Sequence, residues 1–282
     1  MREFLLASPL SPALNAGAAP SVSTITASEN GVVHLDRLLV GAAAVNEQAG
    51  YDTNDLNAAM QVDGLLINGS IELIRGRNAP GAPGGVFSPE RQRPVISLGD
   101  WVFGTGDTVA MTAQITNPGT NGVLATCAPF SPRNKRLGYT GPVPAVRETY
   151  AGSPVVGIGG GGGAGNLVIT FDQDGVCDLS SLFVSCAPNP KGAGGNNYSD
   201  LTGCYVTQIT LPSGDQLILG QAQFGVPAAI FSAARTGNWW SPGLEWVSAG
   251  STVVVGVNQA AAQPANFAAG LPFYPGSKGD LC

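Results

Sequence analysis

The sequence has few charged residues, a single histidine and no long apolar run. Charged residues make up only 11% of the 282 residues, and the formal net charge is −6. Because sequence-independent binding to nucleic acid needs a basic surface, this composition argues against direct contact with a genome or with RNA. No apolar run is as long as the roughly 18 residues that a membrane-spanning helix needs, so the sequence predicts no transmembrane helix.

Side chains suited to catalysis are scarce. His34 is the only histidine, and the neighbouring residues Leu35-Asp36 match no motif with a nucleophile and an orienting acid. The sequence therefore predicts a structural or surface histidine and no catalytic residue. Two carboxylates that meet in space to hydrolyse glycosides stay an open alternative, because such pairs leave no local pattern.

Cofactor and metal motifs are incomplete. The stretch 157–162 fits G-x-G-x-x-G, but a strand-like segment follows it where a dinucleotide site needs a helix. Asp172-x-Asp174-Gly175 resembles the start of a calcium loop but lacks the distal glutamate, so a plain turn is expected. The five cysteines show no metal-binding spacing and indicate buried thiols. We therefore predict no cofactor and no metal.

What the sequence has is an internal repeat. The pattern G-x-P-x-x-(V/I)-F-S-x-x-R occurs at 81–91 and again at 225–235, a separation of 144 residues. The same offset aligns segment 31–43 with 175–187 and segment 106–109 with 250–253. With a slip of one residue, Trp101-Val102 aligns with Trp246-Val247. A period this long indicates tandem domains and not a solenoid of short repeats.

The content of each repeat is β-like. Forty glycines and 21 prolines separate short valine-rich runs, and Asn68-Gly69 is a strong hairpin signal. We expect an all-β fold of two duplicated, eight-stranded jelly-roll sandwiches. The predicted division is an N-terminal arm (1–23), a first domain (24–138), a Gly-rich linker (139–166) and a second domain (167–282). Phe87 and Phe231 are expected to anchor the two cores.

Two segments stand outside the shared pattern. The apolar residues Phe4, Leu5 and Leu6 are expected to form an ordered arm that docks on a neighbouring subunit. Trp239 and Trp240 replace Pro94-Val95 of the first repeat, so they are predicted to serve a purpose of the second domain alone. That purpose is a partner contact or a platform for a sugar, with core packing as the open alternative.

The sequence resembles the double jelly-roll major capsid proteins of small, tailless, membrane-containing icosahedral bacteriophages, of the corticovirus and finnlakevirus kind. The features that carry the resemblance are two consecutive barrels, the N-terminal Met1-Arg2-x-Phe4-Leu5 and the Gly-rich linker. The resemblance implies a trimer of pseudo-sixfold outline within a virion shell. It also implies contacts with shell neighbours, other capsid proteins and an internal viral membrane, but none with the genome.

Two other function classes compete with a shell subunit. A tandem-sandwich adhesin or spike would bind a host carbohydrate, with Trp239-Trp240 as its platform. A hydrolase on a β-sandwich scaffold would need two carboxylates that face each other across an aromatic cleft. The size of the protein in solution distinguishes the shell from both, because only the shell requires trimers that build closed particles.

Overall fold

The computed structural model describes residues 2–9, 14–15, 20–46, 60–74, 82–87, 98–115, 121–133, 138–141, 148–188, 204–219, 225–231, 240–259 and 264–276. Within these ranges the regular structure consists of β-strands and four short 3-10 helices. The same ranges contain no helix that is both long and apolar enough to cross a membrane. We call the part up to residue 133 the first half and the part from residue 148 the second half.

The described residues of the first half form eleven strands and two 3-10 helices. The strands are β1 (Phe4–Ala7), β2 (Leu14–Asn15), β3 (Ser21–Thr26), β4 (Gly31–His34), β5 (Leu39–Asn46), β6 (Met60–Ile67), β7 (Ile71–Glu72), β8 (Ala82–Pro83), β9 (Asp100–Phe103), β10 (Thr108–Ile115) and β11 (Asn121–Pro132). The 3-10 helices are η1 (Leu35–Arg37), between β4 and β5, and η2 (Gly84–Phe87), after β8.

The second half repeats these elements in the same order. Its strands are β12 (Thr149–Gly152), β13 (Val156–Ile158), β14 (Gly163–Thr170), β15 (Gly175–Asp178), β16 (Phe183–Pro188), β17 (Cys204–Thr210), β18 (Ile218–Leu219), β19 (Val226–Pro227), β20 (Leu244–Val247), β21 (Thr252–Gln259) and β22 (Ala265–Pro275). The 3-10 helices η3 (Leu179–Ser181) and η4 (Ala228–Phe231) take the places of η1 and η2. Strands β4, β6 and β10 begin 144 residues before β15, β17 and β21.

Each half is a sandwich of two antiparallel sheets. In the first half, β1 and β2 lie along one edge of β11, and β4 and β5 lie along its other edge. Eight strand positions are numbered along the chain when β1 and β2 count as one position, β4 and β5 count as one position, and the short β7 is left out. With β9 beside β4, this sheet then has the order 1-8-3-6. The facing sheet, β3-β10-β6-β8, has the order 2-7-4-5. Eight positions in these two orders define a jelly roll.

The second half has the same pairings. Strands β12 and β13 pair with one edge of β22, β15 and β16 pair with the other, and β20 pairs with β15. The facing sheet is β14-β21-β17-β19. The predicted all-β fold of two jelly-roll sandwiches is therefore confirmed.

A β-bulge recurs at the same place in both halves. The pairing of β6 with β10 skips Asp63, and the pairing of β17 with β21 skips Thr207, which lies 144 residues later. A bulge inserts one unpaired residue and increases the local twist, so both sheets bend at the same point. The predicted Asn68-Gly69 hairpin is also present, with φ of 50° and 67° at the two turn residues, as a type I′ turn requires.

Each sandwich has its own apolar core, and the two cores meet at β1. Phe87 and Phe231, at equivalent positions in η2 and η4, are both 1% exposed. They lie in different core clusters, as the sequence predicted. Burial of an aromatic side chain of this size removes a large apolar area from water, so each anchors the helical turn that follows its G-x-P segment.

The predicted arm and linker both contain a strand of a sandwich. Strand β1 lies within the arm and β12 within the linker, and each supplies the first strand position of its sheet. The arm interpretation is therefore wrong for Phe4–Ala7, because these residues satisfy their backbone hydrogen bonds within this chain. A turn that contains Gly161 and Gly162 leads from β13 in one sheet to β14 in the facing sheet, so a strand follows the G-x-G-x-x-G stretch directly, as expected.

Candidate functional site at the junction of the two halves

The two halves are joined by the first strand of the chain. Along one edge β1 pairs antiparallel with β11, and along the other it pairs parallel with β18 of the second half. In the second pairing Leu5 lies opposite Ile218, and the Leu5 N–H donates to the Leu217 carbonyl over 2.9 Å. A single sheet thus runs from the first half into the second.

Apolar side chains cover the rest of the junction. Leu5, Ala7, Leu39 and Cys127 of the first half are each at most 1% exposed and belong to the core cluster of the second half. They come from β1, β5 and β11, and strand β19 of the second half lies against the last two. The outer face of one sheet of the first half is therefore an interior surface of the protein.

A buried arginine forms the ionic part of the junction. Arg2 is 4% exposed and donates to the Pro242 and Leu244 carbonyls over 3.3 and 3.1 Å. It also forms an ion pair with Glu245, whose side chain is 15% exposed. A buried charge is tolerated when its donors are satisfied, and removal of one partner leaves the other uncompensated. Arg2 therefore fixes the N-terminus against β20.

Glu3 connects both halves from the next position. Its carboxylate accepts hydrogen bonds from both terminal nitrogens of Arg37 over 2.8 and 2.6 Å, and it accepts a third from the Ser241 N–H over 2.8 Å. The Glu3 carbonyl accepts the indole N–H of Trp240 over 3.1 Å. A bidentate arginine–carboxylate pair fixes direction as well as distance. Glu3 therefore aligns η1 of the first half with the segment that precedes β20.

His34 lies at the edge of this network and has two hydrogen-bond partners. Its Nδ1 is 2.8 Å from Asp100 Oδ1, and its Nε2 is 2.9 Å from Ser131 Oγ. When Nδ1 donates to the carboxylate, Nε2 accepts from the hydroxyl, which is the hydrogen-bond order of a serine hydrolase triad. The Asp100 side chain is 63% exposed, and a Glu3 carboxylate oxygen lies 3.8 Å from Nε2.

Burial controls the chemistry of the cysteines. Cys127, Cys177 and Cys204 are buried free thiols, as the sequence predicted, and the side chains of Cys186 and Cys282 lie outside the described residues. Burial raises the pKa of Cys127 to about 12. Burial, with the charge of Glu245 as a smaller cause, also raises the pKa of Cys177 to about 12. A thiol that stays protonated is a poor nucleophile and a poor metal ligand.

The described residues contain no group of three or more His, Cys, Asp or Glu side chains that could hold a metal ion. In the predicted turn after β14, the Asp174 carboxylate accepts the Ala249 N–H over 2.8 Å. This carboxylate therefore joins two loops of the second half.

The structure places four of the five predicted contact residues in the interior. Phe4, Leu5 and Leu6 are at most 1% exposed, and Trp240 is 2% exposed with its ring edge-on to Phe231. Their prediction as contacts with other subunits is therefore corrected, because side chains buried within one chain offer no surface to another. Trp240 is core, one of the alternatives that the sequence left open. Trp239 lies outside the described residues, and its role stays a prediction.

Sequence reasoning missed the polar residues of the junction. Arg2 and Glu3 are charged residues in a short apolar stretch, and no motif marks them. A signal was present in the repeat, since Arg147-Glu148 precedes β12 as Arg2-Glu3 precedes β1. The partners Arg37, Ser241 and Glu245 are distant in sequence, so only the fold brings them together.

No family model matches the sequence, and no curated protein matches it significantly. Among solved structures, the major capsid protein P2 of bacteriophage PM2 is similar at 8% identity and a TM-score of 0.26, with 98% of each chain covered. The Sulfolobus Turreted Icosahedral Virus structure contains a chain similar at 11% identity and a TM-score of 0.25, with 98% of this chain and 91% of that chain covered. A conserved Pseudomonas aeruginosa PAO1 protein of unknown function, PA5104, has a TM-score of 0.17 at 11% identity, with 96% and 98% covered. TM-scores this low carry no argument, so the fold rests on the strand order given above.

Proposed function

We propose that this chain is a structural subunit of a virus, the major capsid protein of an icosahedral shell. The observation that supports the proposal is the connection of two jelly rolls by a shared sheet, a buried ion pair and an apolar face. Such a connection makes one building block with two similar domains. The resemblance to double jelly-roll capsid proteins of membrane-containing phages gives the finer form, a trimer of pseudo-sixfold outline.

The charge and composition fit this role. A net charge of −6 and few charged residues suit a protein that contacts copies of itself and leaves the genome to other components. An internal membrane between shell and genome is the arrangement that the resemblance implies. The two halves then derive from a duplication, with the repeated strand order and the repeated bulge as its trace.

The size of the full chain in solution tests this proposal. Sedimentation velocity and electron microscopy of the purified chain should show trimers and, at higher concentration, closed particles. A chain that stays monomeric or dimeric at every concentration would rule out the shell. The carbohydrate-binding alternative loses its platform at Trp240, whose side chain is buried, so Trp239 is the residue to substitute in a glycan-binding assay.

A serine hydrolase is the second candidate, and one observation favours it. Asp100, His34 and Ser131 are hydrogen-bonded in the order that activates a serine. Covalent labelling by a fluorophosphonate probe, lost in both Ser131→Ala and His34→Gln, would support an enzyme. An unlabelled protein that assembles would support the shell.

A further inference from the structure

The junction within the chain uses two surfaces, and the repeat provides each of them twice. One surface is the free edge and outer face of a first strand, which is β1 in the first half and β12 in the second. The other is the segment that receives it, residues 217–219 in the second half and, at the same offset, the described residues 73–74 in the first. Among the described residues of one chain, β1 and 217–219 are the pair in use.

The equivalent of β1 in the second half has an uncovered edge. Phe4 lies opposite Phe130, and Thr149 lies opposite the corresponding Phe273, so Tyr150 takes the place of Leu5. Tyr150 is 61% exposed where Leu5 is 0% exposed. Among the described residues β12 pairs with β22 alone, so its other edge presents unpaired backbone groups.

The outer face beside this edge is apolar. Gly270 takes the place of Cys127, and the Tyr150 ring lies over it where a side chain on Gly270 would collide. Phe183 takes the place of Leu39, is opposite Gly270 and is only partly buried. Two aromatic side chains therefore stand on the surface where the first half places buried leucines. A contiguous apolar face of this kind on a sheet marks a contact surface.

The receiving segment of the first half is also less covered than its counterpart. Leu73 and Ile74 are partly buried, whereas Leu217 is 0% and Ile218 is 8% exposed. Ala82 is partly exposed where Val226 is fully buried, and Ile71 is 41% exposed. Leu73, Ile74 and Ala82 pack against the core of the first half, and part of each side chain stays exposed. The first half therefore keeps a partly exposed apolar receiving surface.

We propose that these two surfaces bind each other between copies, so that β12 of one chain adds as a parallel strand to residues 73–74 of the next. The proposal rests on the shell function and names its subunit contact. In the register of the internal junction, Tyr150 lies opposite Ile74 of the neighbouring copy, and the Tyr150 N–H donates to the Leu73 carbonyl. The occupant is a second copy because the matching surface belongs to this chain.

The geometry of this contact is head to tail. Contacts of this type repeat one rotation until they close into a ring or continue as a filament. Six sandwiches from three chains close into a ring if the two halves of one chain are related by one sixth of a turn and the second half of one copy is related to the first half of the next by the same rotation. The same pairing then occurs six times, three times within chains and three times between them.

Disulfide trapping in the full chain tests the pairing. Residues opposite each other on adjacent strands bring their Cα atoms within the range that a disulfide spans. We expect Tyr150→Cys/Ile74→Cys, oxidised under native conditions, to give covalent species of two and three chains and none larger on a denaturing gel. Wild type controls for cross-links through the native thiols, and each single variant controls for cross-links through one new cysteine. Tyr150→Cys/Val168→Cys controls for non-specific pairing, because Val168 is exposed on the facing sheet of the second half.

A pair of substitutions at one residue gives a second measurement. Tyr150→Asp should weaken association by at least about tenfold in sedimentation equilibrium, because it places a charge in an apolar contact, while Tyr150→Leu should keep it. Circular dichroism verifies that both variants are folded. Trimers that form without a specific 150–74 cross-link, or that tolerate Tyr150→Asp, would overturn the pairing and leave the shell function standing. A wild-type chain that remains monomeric would overturn both.

Discussion

Strands β1 and β12 hold the same position in two equivalent sandwiches, yet one is interior and the other lies at the surface. β1 is paired along both edges and its Leu5 is fully buried, whereas within the described part of the chain β12 is paired along one edge and its Tyr150 is 61% exposed. The fold is the same, so the difference comes from what lies outside each sandwich. Positions that differ between the halves therefore indicate contacts, and positions that agree indicate the fold.

The largest loss of stability is expected from a substitution just before β19, the strand of the second half that lies against the first half. Gly225, the first residue of the repeated G-x-P motif, has φ of +88°, and a Cβ there would overlap the Val206 carbonyl. Gly225→Ala should therefore lower the free energy of unfolding by at least about 4 kcal/mol, from steric overlap added to backbone strain. Urea denaturation followed by circular dichroism measures it.

Gly214→Ala is the matched control in the same half. Gly214 has φ of +85°, but a Cβ there would meet nothing within 4 Å. Gly214→Ala should lower the free energy of unfolding by only about 1 to 2 kcal/mol, the cost of a left-handed conformation for a residue with a side chain. Equal losses at the two glycines would show that the close approach to Val206 is not what the motif requires.

The ionic part of the junction should have the next largest effect. Arg2→Ala leaves Glu245 without the arginine and removes one donor from each of the Pro242 and Leu244 carbonyls, and it should cost about 3 kcal/mol of unfolding free energy. The double variant Arg2→Ala/Glu245→Ala completes a thermodynamic cycle and isolates the coupling between the two side chains. A coupling energy near zero would show that the arginine acts through the carbonyls alone.

The comparison of β1 with β12 can be tested directly by one truncation in each. Leu5→Ala removes a fully buried side chain and should destabilise the chain by about 2 to 3 kcal/mol. Tyr150→Ala should change the stability of the isolated chain by less than about 0.5 kcal/mol, because the side chain is exposed. Both are measured at concentrations below association. A loss at Tyr150 as large as that at Leu5 would contradict the distinction between an interior and a surface strand.

The sequence predicted the fold well because short-range sequence patterns indicate its turns and strands, and these patterns occur twice. The Asn68-Gly69 turn, the valine-rich strands and Phe87 and Phe231 obey short-range rules of turn geometry and burial, and a second copy at one offset reinforces each. The position of Phe4–Leu6 was not predictable in the same way. An apolar run of three residues fits an arm and a strand equally well, and the choice depends on β11, which is more than a hundred residues away.

The hydrogen-bonded polar groups show the same limit. His34 stands beside no motif, and its partners Asp100 and Ser131 reach it only because β4 lies between β9 and β11. The order of strands in a sheet is not encoded by periodicity, so residues that meet across three strands leave no sequence pattern. The sequence likewise marks Trp240 only as a residue that the first repeat lacks. In the structure its indole N–H donates to the Glu3 carbonyl and its ring packs edge-on against Phe231.

The smallest expected effect concerns His34, which has no histidine counterpart in the second half. His34→Gln removes one hydrogen bond to an exposed carboxylate and one to Ser131, so it should cost about 1 kcal/mol of unfolding free energy. We also expect no fluorophosphonate labelling of Ser131. The Asp100 carboxylate is largely hydrated, so it orients the imidazole only weakly. Labelling that disappears in His34→Gln but persists in Asn68→Ala, which loses the Asn68 hydrogen bonds to Asp107 and to the Thr108 N–H in the same half, would show that the array is catalytic and that the first half has a chemistry the second lacks.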